Sequence, residues 1–431
     1  MIDLAAGGIF SGMFGRYGGP IHDVLLNWMG MQNDELCSYA PHRQNYWRDR
    51  YVSMLKELTG FESVALFCEG SVAVEAFLRV AWVYTGRPGL WGGLVDPDEV
   101  GTEQPRCDQM HGMTHGSRML AGQVTWHELG IYPELGATRF GQRPEITACM
   151  AMEPYHAPSA QFHKFNPTIK HIMGLRKEFP NILFLMDEIQ GGFGRTGKLW
   201  AHEHYDNSID DDGTIIDHPI KPDFITIGKL CGGGLPLSAL LGPKDIMESD
   251  DVKKHAHLSS THGGNPLMCA VGCTVIEEMQ KQDLIKESAR KGEILHEILK
   301  GFPVRTHGRG LLAGIVMQDA QETKNVVEKC LERGVQVVDT GRKWVKLGPE
   351  LTIPDEALIQ GIKILQEVVE EVISERQPEA CGDSSQEPGG GNPVLQVVPL
   401  SGSTPINGSL EGENAQDRQD EGSSGGDDRA N

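Results

Sequence analysis

Two ionisable residues of opposite charge close apolar runs of this chain. Asp187 follows Ile182-Leu-Phe-Leu185 in Met186-Asp187-Glu188-Ile189-Gln190, and Lys229 follows Phe224-Ile-Thr-Ile-Gly228 forty-two positions later. A carboxylate ending a buried strand is costly unless paired or hydrogen-bonded. Taken alone, Asp187 reads as a helix cap or half of an ion pair. A desolvated lysine loses charge readily, which suits an imine-forming amine or a proton-transfer base. Taken alone, Lys229 reads as a solvated residue ahead of the glycine-rich stretch Leu230-Cys-Gly-Gly-Gly234. A third feature, Cys68-Glu-Gly70-Ser71-Val72-Ala73, looks like a strand end, a tight turn and a helix start. Free N–H groups and the helix dipole at such a start suit a phosphate, although Ser71 by itself would serve as an ordinary N-cap.

These residues need elements that bring them to one place. Ser63–Cys68, Thr147–Met152, Ile182–Met186, Phe224–Ile227 and Leu237–Leu241 are short, nearly continuous apolar runs, the pattern of strands covered on both faces. Helical spacing over Val72–Tyr84 and Ile169–Glu178 separates them. Strands alternating with helices imply an α/β fold whose large domain has a mainly parallel sheet with helices on both faces. Open sheets of this class bind ligands at the carboxyl ends of their strands, which is where Asp187, Lys229 and Glu153 (in Met152-Glu153-Pro154) fall. From about residue 266 the texture changes. Helices over Pro266–Gln280, Leu284–Leu299 and Asp355–Ile373 alternate with strands around Leu311–Met317, Val335–Val338 and Trp344–Leu347, predicting a smaller α/β domain.

With 39% hydrophobic residues, the 431-residue chain can bury a sizeable core. A net charge of −21 argues against nucleic acid or an anionic membrane as partner, and no apolar run reaches the roughly 18 residues of a membrane span. Nine dispersed cysteines without a CxxC pair fit reduced thiols and a cytoplasmic location. The N-terminus lacks the basic region of a secretory signal. Residues 377–431 carry ten acidic side chains against two arginines and are expected to form a disordered acidic tail.

The motifs and their order resemble the class III aminotransferases (the ornithine, acetylornithine and 4-aminobutyrate type), a branch of the type I fold of enzymes dependent on pyridoxal 5′-phosphate (PLP). The resemblance rests on Asp187-Glu-Ile-Gln-Gly-Gly-Phe-Gly-Arg-Thr-Gly197, Pro222-Asp-Phe-Ile-Thr-Ile-Gly228-Lys229, Thr261-His-Gly-Gly-Asn-Pro266 and His111-Gly112-x-Thr114, and runs from about Asp3 to about Ile373. It implies a PLP-dependent transaminase moving an amino group between an amine or ω-amino acid and an oxo acid. Lys229 would carry the cofactor in Schiff-base linkage and shuttle the substrate proton, and Asp187 would keep the pyridine nitrogen protonated. Gln190 would sit near the ring's 3-oxygen, Met110 and His111 against the ring. Gly70, Ser71 and Val72 would hold the phosphate, together with Thr261 from the neighbouring subunit of a homodimer. Glu153 matches a glutamate lining the site. The implied partition is an N-terminal segment of the small domain (1–44), a large PLP-binding domain (45–265), the rest of the small domain (266–376) and the tail.

Departures from the family pattern bear on substrate. Met110 replaces an aromatic residue, Val72 replaces a glutamate, and Asp96–Arg106 and Asp206–His218 are insertions expected to be loops. The family's usual segment before Asp3 is short, so the start is expected to be truncated. Where many members grip a carboxylate with arginine, Trp344-Val-Lys346-Leu347 offers a lysine, a point charge without the bidentate fork. Tyr155-His-Ala-Pro158 lacks the glutamate that gates ornithine-type members. Those two differences motivate an alternative, an aminomutase like glutamate-1-semialdehyde aminomutase, which would need no separate oxo-acid acceptor. Val72 and Met110 motivate another, a non-catalytic PLP-fold binding protein.

Other motifs carry less. Gly192-Phe-Gly194-Arg-Thr-Gly197 satisfies GxGxxG, but no helix opens at once and no acid follows about 20 residues on, as a dinucleotide site requires. His111/His115 and His202-Glu-His204 are suggestive pairs without a convergent third ligand, so no metal is expected. His257 and His262 read as structural or cofactor-adjacent, and Cys231 as a packed thiol.

Overall fold

Runs with no polar break become strands of a central sheet, because strands buried on both faces have no solvent side to mark. In the computed structural model, residues 1–6, 10–15, 19–30, 45–87, 89–92, 147–156, 160–162, 170–205, 220–340 and 342–376 are described. Along the chain the strands are β1 (Ile2–Asp3), β2 (Ser63–Phe67), β3 (Gly89–Gly92), β4 (Thr147–Met152), β5 (Tyr155–His156), β6 (Gln161–Phe162), β7 (Leu183–Asp187), β8 (Phe224–Ile227), β9 (Ser238–Gly242), β10 (Thr306–Arg309), β11 (Leu312–Val316), β12 (Val335–Gln336), β13 (Val338–Asp339) and β14 (Trp344–Leu347). Met110, His111, Pro158, both insertions and the 377–431 tail lie outside the described residues.

Among the described residues, six strands form the main sheet in the order β2-β9-β8-β7-β4-β3. β3, β4, β7 and β8 pair in parallel, whereas β9 runs antiparallel to both β8 and β2. The reversal of β9 has a positional consequence. The carboxyl ends of β2, β4, β7 and β8 and the amino end of β9 all open on one edge. The helix Gly70–Thr85 covers one face, burying Ala73, Val74, Phe77 and Val80 against Phe67, Leu185, Phe224 and Leu240. On the other face Ile225, Ile227, Ala239 and Leu241 join a core that includes Cys269, Val275 and Ile276 of the helix Pro266–Lys281. That helix starts on Asn265, whose Oδ1 accepts from the Leu267 and Met268 amides, and Pro266 occupies a first-turn position whose missing N–H costs nothing.

A second sheet, β10-β11-β14-β13, is antiparallel throughout. The run around Val335–Val338, expected as one strand, divides: β12 pairs in parallel with β1, and β13 turns to pair with β14. The helix Asp355–Ser374 buries Leu358, Ile362, Leu365 and Val369 in the same core, and Leu4 and Val335 belong to it too. The helix Ala320–Glu332, capped by Asp319 through the Glu322 amide, has no counterpart in the sequence reading.

Arg195 clasps these parts together. It is fully buried, and its Nη1 donates to the carbonyls of Leu311 (3.2 Å) and Pro349. Its own carbonyl accepts from the Leu311 amide (3.0 Å) and the Ser288 hydroxyl (3.1 Å). Gly310 makes the approach possible: at φ 54°, a Cβ there would stand 2.3 Å from the Thr196 carbonyl carbon. The Gly192–Gly197 segment is therefore a clasp to the second sheet. Replacing the cation strands two buried carbonyls, so Arg195→Met should cost about 3 kcal/mol of stability, read as a lower urea midpoint.

Candidate functional site

The carboxyl-edge residues meet beneath the start of the helix Gly70–Thr85. Asp187, 4% exposed, ends β7 beside Thr226 of β8. Its Oδ1 accepts from Thr226 Oγ1 and from the Ile189 amide, both at 3.0 Å, and no described residue donates to Oδ2. Burial pushes its pKa from 3.8 up to about 6, opposed by the two hydrogen bonds and the charge of Lys229. Glu188 does different work from its neighbour. Buried, it accepts from the Ala201 and His202 amides and bonds His202 Nδ1 at 2.7 Å, holding the turn Ala201–Tyr205.

Lys229 follows β8 at φ 47°, a left-handed conformation uncommon outside glycine. Burial pushes its amine down, while Asp187 and Glu153 favour the charged form. Glu153, just past β4, lies within electrostatic range of both Lys229 and Lys346. Lys346 belongs to β14, in the second sheet, yet it joins the same charge group. It is 3% exposed, with Nζ 5.0 Å from the centre of the Phe10 ring. Burial and then the charge of Lys229 push its amine well below the ordinary lysine value, opposed by Glu153.

Gly70 and Ser71 open the helix Gly70–Thr85, whose N-cap Glu69 makes no side-chain cap bond. The Val72 and Ala73 amides both turn back to the Glu69 carbonyl. The cradle is tight. A Cβ on Gly70 would meet Ile189 at 2.5 Å, and one on Gly228 would meet the same side chain at 3.1 Å. Ile189 is thus wedged between the helix start and the residue before Lys229. Gln190 follows it, half-buried, and Thr261 lies exposed on the turn leading into Pro266–Lys281.

Asp187, Lys229, Glu153, Lys346 and the Gly70-Ser71 turn therefore share one region, while Thr261 faces outward. Thr226 and Ile189 join them, although no motif in the sequence singles them out. Thr226 was visible as the polar residue of an apolar run, but its pairing with Asp187 depends on strand register. His204 and Cys231 are held in contacts with backbone carbonyls. His204 Nε2 contacts the Thr196 carbonyl and is pushed down to about 4 by burial. Cys231 donates to the Leu237 carbonyl and is pushed up to about 12. Among the described residues no three His, Cys, Asp or Glu converge on a metal position.

A carboxyl with a raised pKa holds its proton more tightly folded than unfolded, so its contribution to stability is present below 3.8 and lost as pH rises through about 6. Asp187→Asn should accordingly stabilise cofactor-free protein relative to wild type near pH 7, with the gap closing near pH 4, as read by thermal unfolding at the two pH values.

Comparison with known proteins fits this geometry. The aminotransferase class-III family profile matches residues 140–369. An acetylornithine aminotransferase from Caldanaerobacter subterraneus is 26% identical over 375 residues, covering 82% of this chain and 87% of that one. A probable mitochondrial ornithine aminotransferase from Caenorhabditis elegans is 31% identical over 371 residues, covering 81% and 82%. Among solved structures, an acetylornithine aminotransferase from Elizabethkingia anophelis superposes with a TM-score of 0.64 at 22% identity, covering 86% and 89%. An S-selective transaminase from Arthrobacter sp. gives 0.67 at 20%, covering 87% and 90%. Two sheets, a lysine and an aspartate brought to one strand edge, and a match over most of the chain lead to one assignment: the chain belongs to the class III aminotransferases, PLP-dependent transaminases of the type I fold.

Proposed function

We propose that Lys229 and Asp187 are the catalytic pair of this transaminase, and that Gly70, Ser71, Val72, Gln190 and Thr261 hold the cofactor. On sequence grounds alone, Met110 and His111 belong to the same set. The observation that carries the reading is Asp187: a buried carboxyl with one oxygen engaged and the other met by no described donor, in electrostatic contact with the half-buried Lys229. That arrangement fits PLP, since a protonated ring nitrogen would satisfy Oδ2 and favour the ionised carboxylate, offsetting the rise that burial imposes. When bound, PLP supplies the electron sink that stabilises negative charge at the substrate's reacting carbon.

The protein's own residues do the rest. Burial favours the neutral amine of Lys229, the form that attacks a carbonyl or accepts a proton. Gly70 and Ser71 supply helix N-terminal amides for a phosphate. Thr261, being exposed, fits a contact across the interface of a homodimer with shared sites. Lys346 provides a cation for the carboxylate of an oxo acid or ω-amino acid, with Glu153 balancing its charge. The relatives named for ornithine and acetylornithine support an ω-amino donor. All six cysteines among the described residues are free, and no described helix is long and apolar enough to cross a membrane, which supports a cytoplasmic enzyme acting on small molecules.

Lys229→Ala should abolish transamination of every amine tested and leave no peptide carrying cofactor after borohydride reduction. Cofactor recovered on another lysine would overturn the assignment. Because its amine is pushed below the lysine range, Lys346 should lose charge as pH rises while an arginine would not. The KM for an oxo acid should therefore climb with alkaline pH in wild type and stay flat in Lys346→Arg. Lys346→Met should raise that KM about tenfold or more at neutral pH, with little effect on a monoamine lacking a carboxylate.

A further inference from the structure

One buried hydroxyl at the strand edge has no use in the reading above. Ser238, the first residue of β9, is 1% exposed, and its Oγ is buried with no hydrogen-bond partner among the described residues. A hydroxyl left so costs about 1–3 kcal/mol, a burden that Ala in the same place would not carry.

The register shows where it points. Ser238 stands opposite Phe67 of β2, and two residues on Leu240 stands opposite Thr226 of β8. Directly paired residues share a face, and alternate residues do too. Ser238 is therefore on the face of Phe67, Leu240, Thr226 and Asp187, the one covered by the helix Gly70–Thr85. A chain of contacts carries it to the first turn of that helix. Ser238 Cβ is 3.7 Å from the Cβ position of Gly228, Gly228 packs on Ile189, and Ile189 packs on Gly70. The hydroxyl thus sits at the edge where the helix amides open, one residue's breadth from Lys229. Its location accounts for a serine at a position that packing alone would fill with alanine.

We propose that Ser238 is a further cofactor-binding residue, its hydroxyl donating to the phosphate alongside the amides of Gly70 and Ser71. This rests on the reading of the edge as the PLP site. A hydrogen bond to a charged oxygen is stronger than one between neutral groups, and the placement of Ser238 beside the helix start directs it to the phosphate.

The test uses the full chain stripped of cofactor and titrated with PLP and, separately, with pyridoxal, which lacks the phosphate. In Ser238→Ala, PLP should bind roughly ten- to hundredfold more weakly while pyridoxal binds as in wild type. Ser238→Cys, which keeps the volume but offers only a weak donor, should behave like the alanine variant. Thermal unfolding of the cofactor-free Ser238→Ala protein should be unchanged or raised, with a smaller upward shift on adding PLP. An unaltered preference for PLP over pyridoxal in both variants would overturn the inference, as would an equal loss of both ligands. Wild-type protein that takes up neither compound would sink the reading of the edge as the PLP site, and this inference with it.

Discussion

Asp187 is closed off from water at the end of a strand whose other residues are all apolar, and two donors on one oxygen only partly offset that desolvation. The surrounding elements can be understood from the need to hold this carboxyl. Thr226 reaches it because β7 and β8 run parallel and adjacent. The Ile189 amide reaches it because the chain turns sharply after β7, and the same turn seats the Ile189 side chain between two glycines. That wedge in turn sets the distance from the start of the helix Gly70–Thr85 to the residue before Lys229. Acid, amine and helix terminus are thus positioned by one packed side chain and one pair of strands.

Much of this was legible in the sequence because it is local. The apolar runs of β4, β7 and β8 announce buried strands, and the residues closing them announce a strand-edge site. The helices Pro266–Lys281 and Leu284–Leu299 follow from their spacing. What depends on partners elsewhere in the chain was not legible. Nothing in Ser238–Gly242 says that the strand runs backwards, since a strand buried on both faces reads the same in either direction. The contact of Thr226 with Asp187 needs the register of two strands thirty-nine residues apart. The run at Val335–Val338 divides because its halves pair with different strands, a choice made by β1 and β14. The helix Ala320–Glu332 hid behind a mostly charged surface in which only Thr323, Val326 and Cys330 are buried.

Lysine at position 346 shows why a motif and its environment have to be read together. From sequence it is an arginine position filled by a weaker gripping group. In the fold it is a nearly inaccessible amine sharing a charge group with Lys229 and Glu153, stacked near the Phe10 ring. Its ability to hold a positive charge therefore depends on what else occupies the region, which would not hold for a guanidinium.

Lys346 also belongs to a different sheet from Asp187 and Lys229, and the two sheets are joined through the Arg195 clasp. Descent with modification can act on such a layout piecemeal. Exchanges along β14 would alter the charge offered to an incoming molecule without disturbing the strand pairing that sets the acid and the amine. Changes along β7 and β8 have no such freedom. A change in the small molecules accepted can thus be made mainly in the second sheet, with the strand pairing of the first left intact.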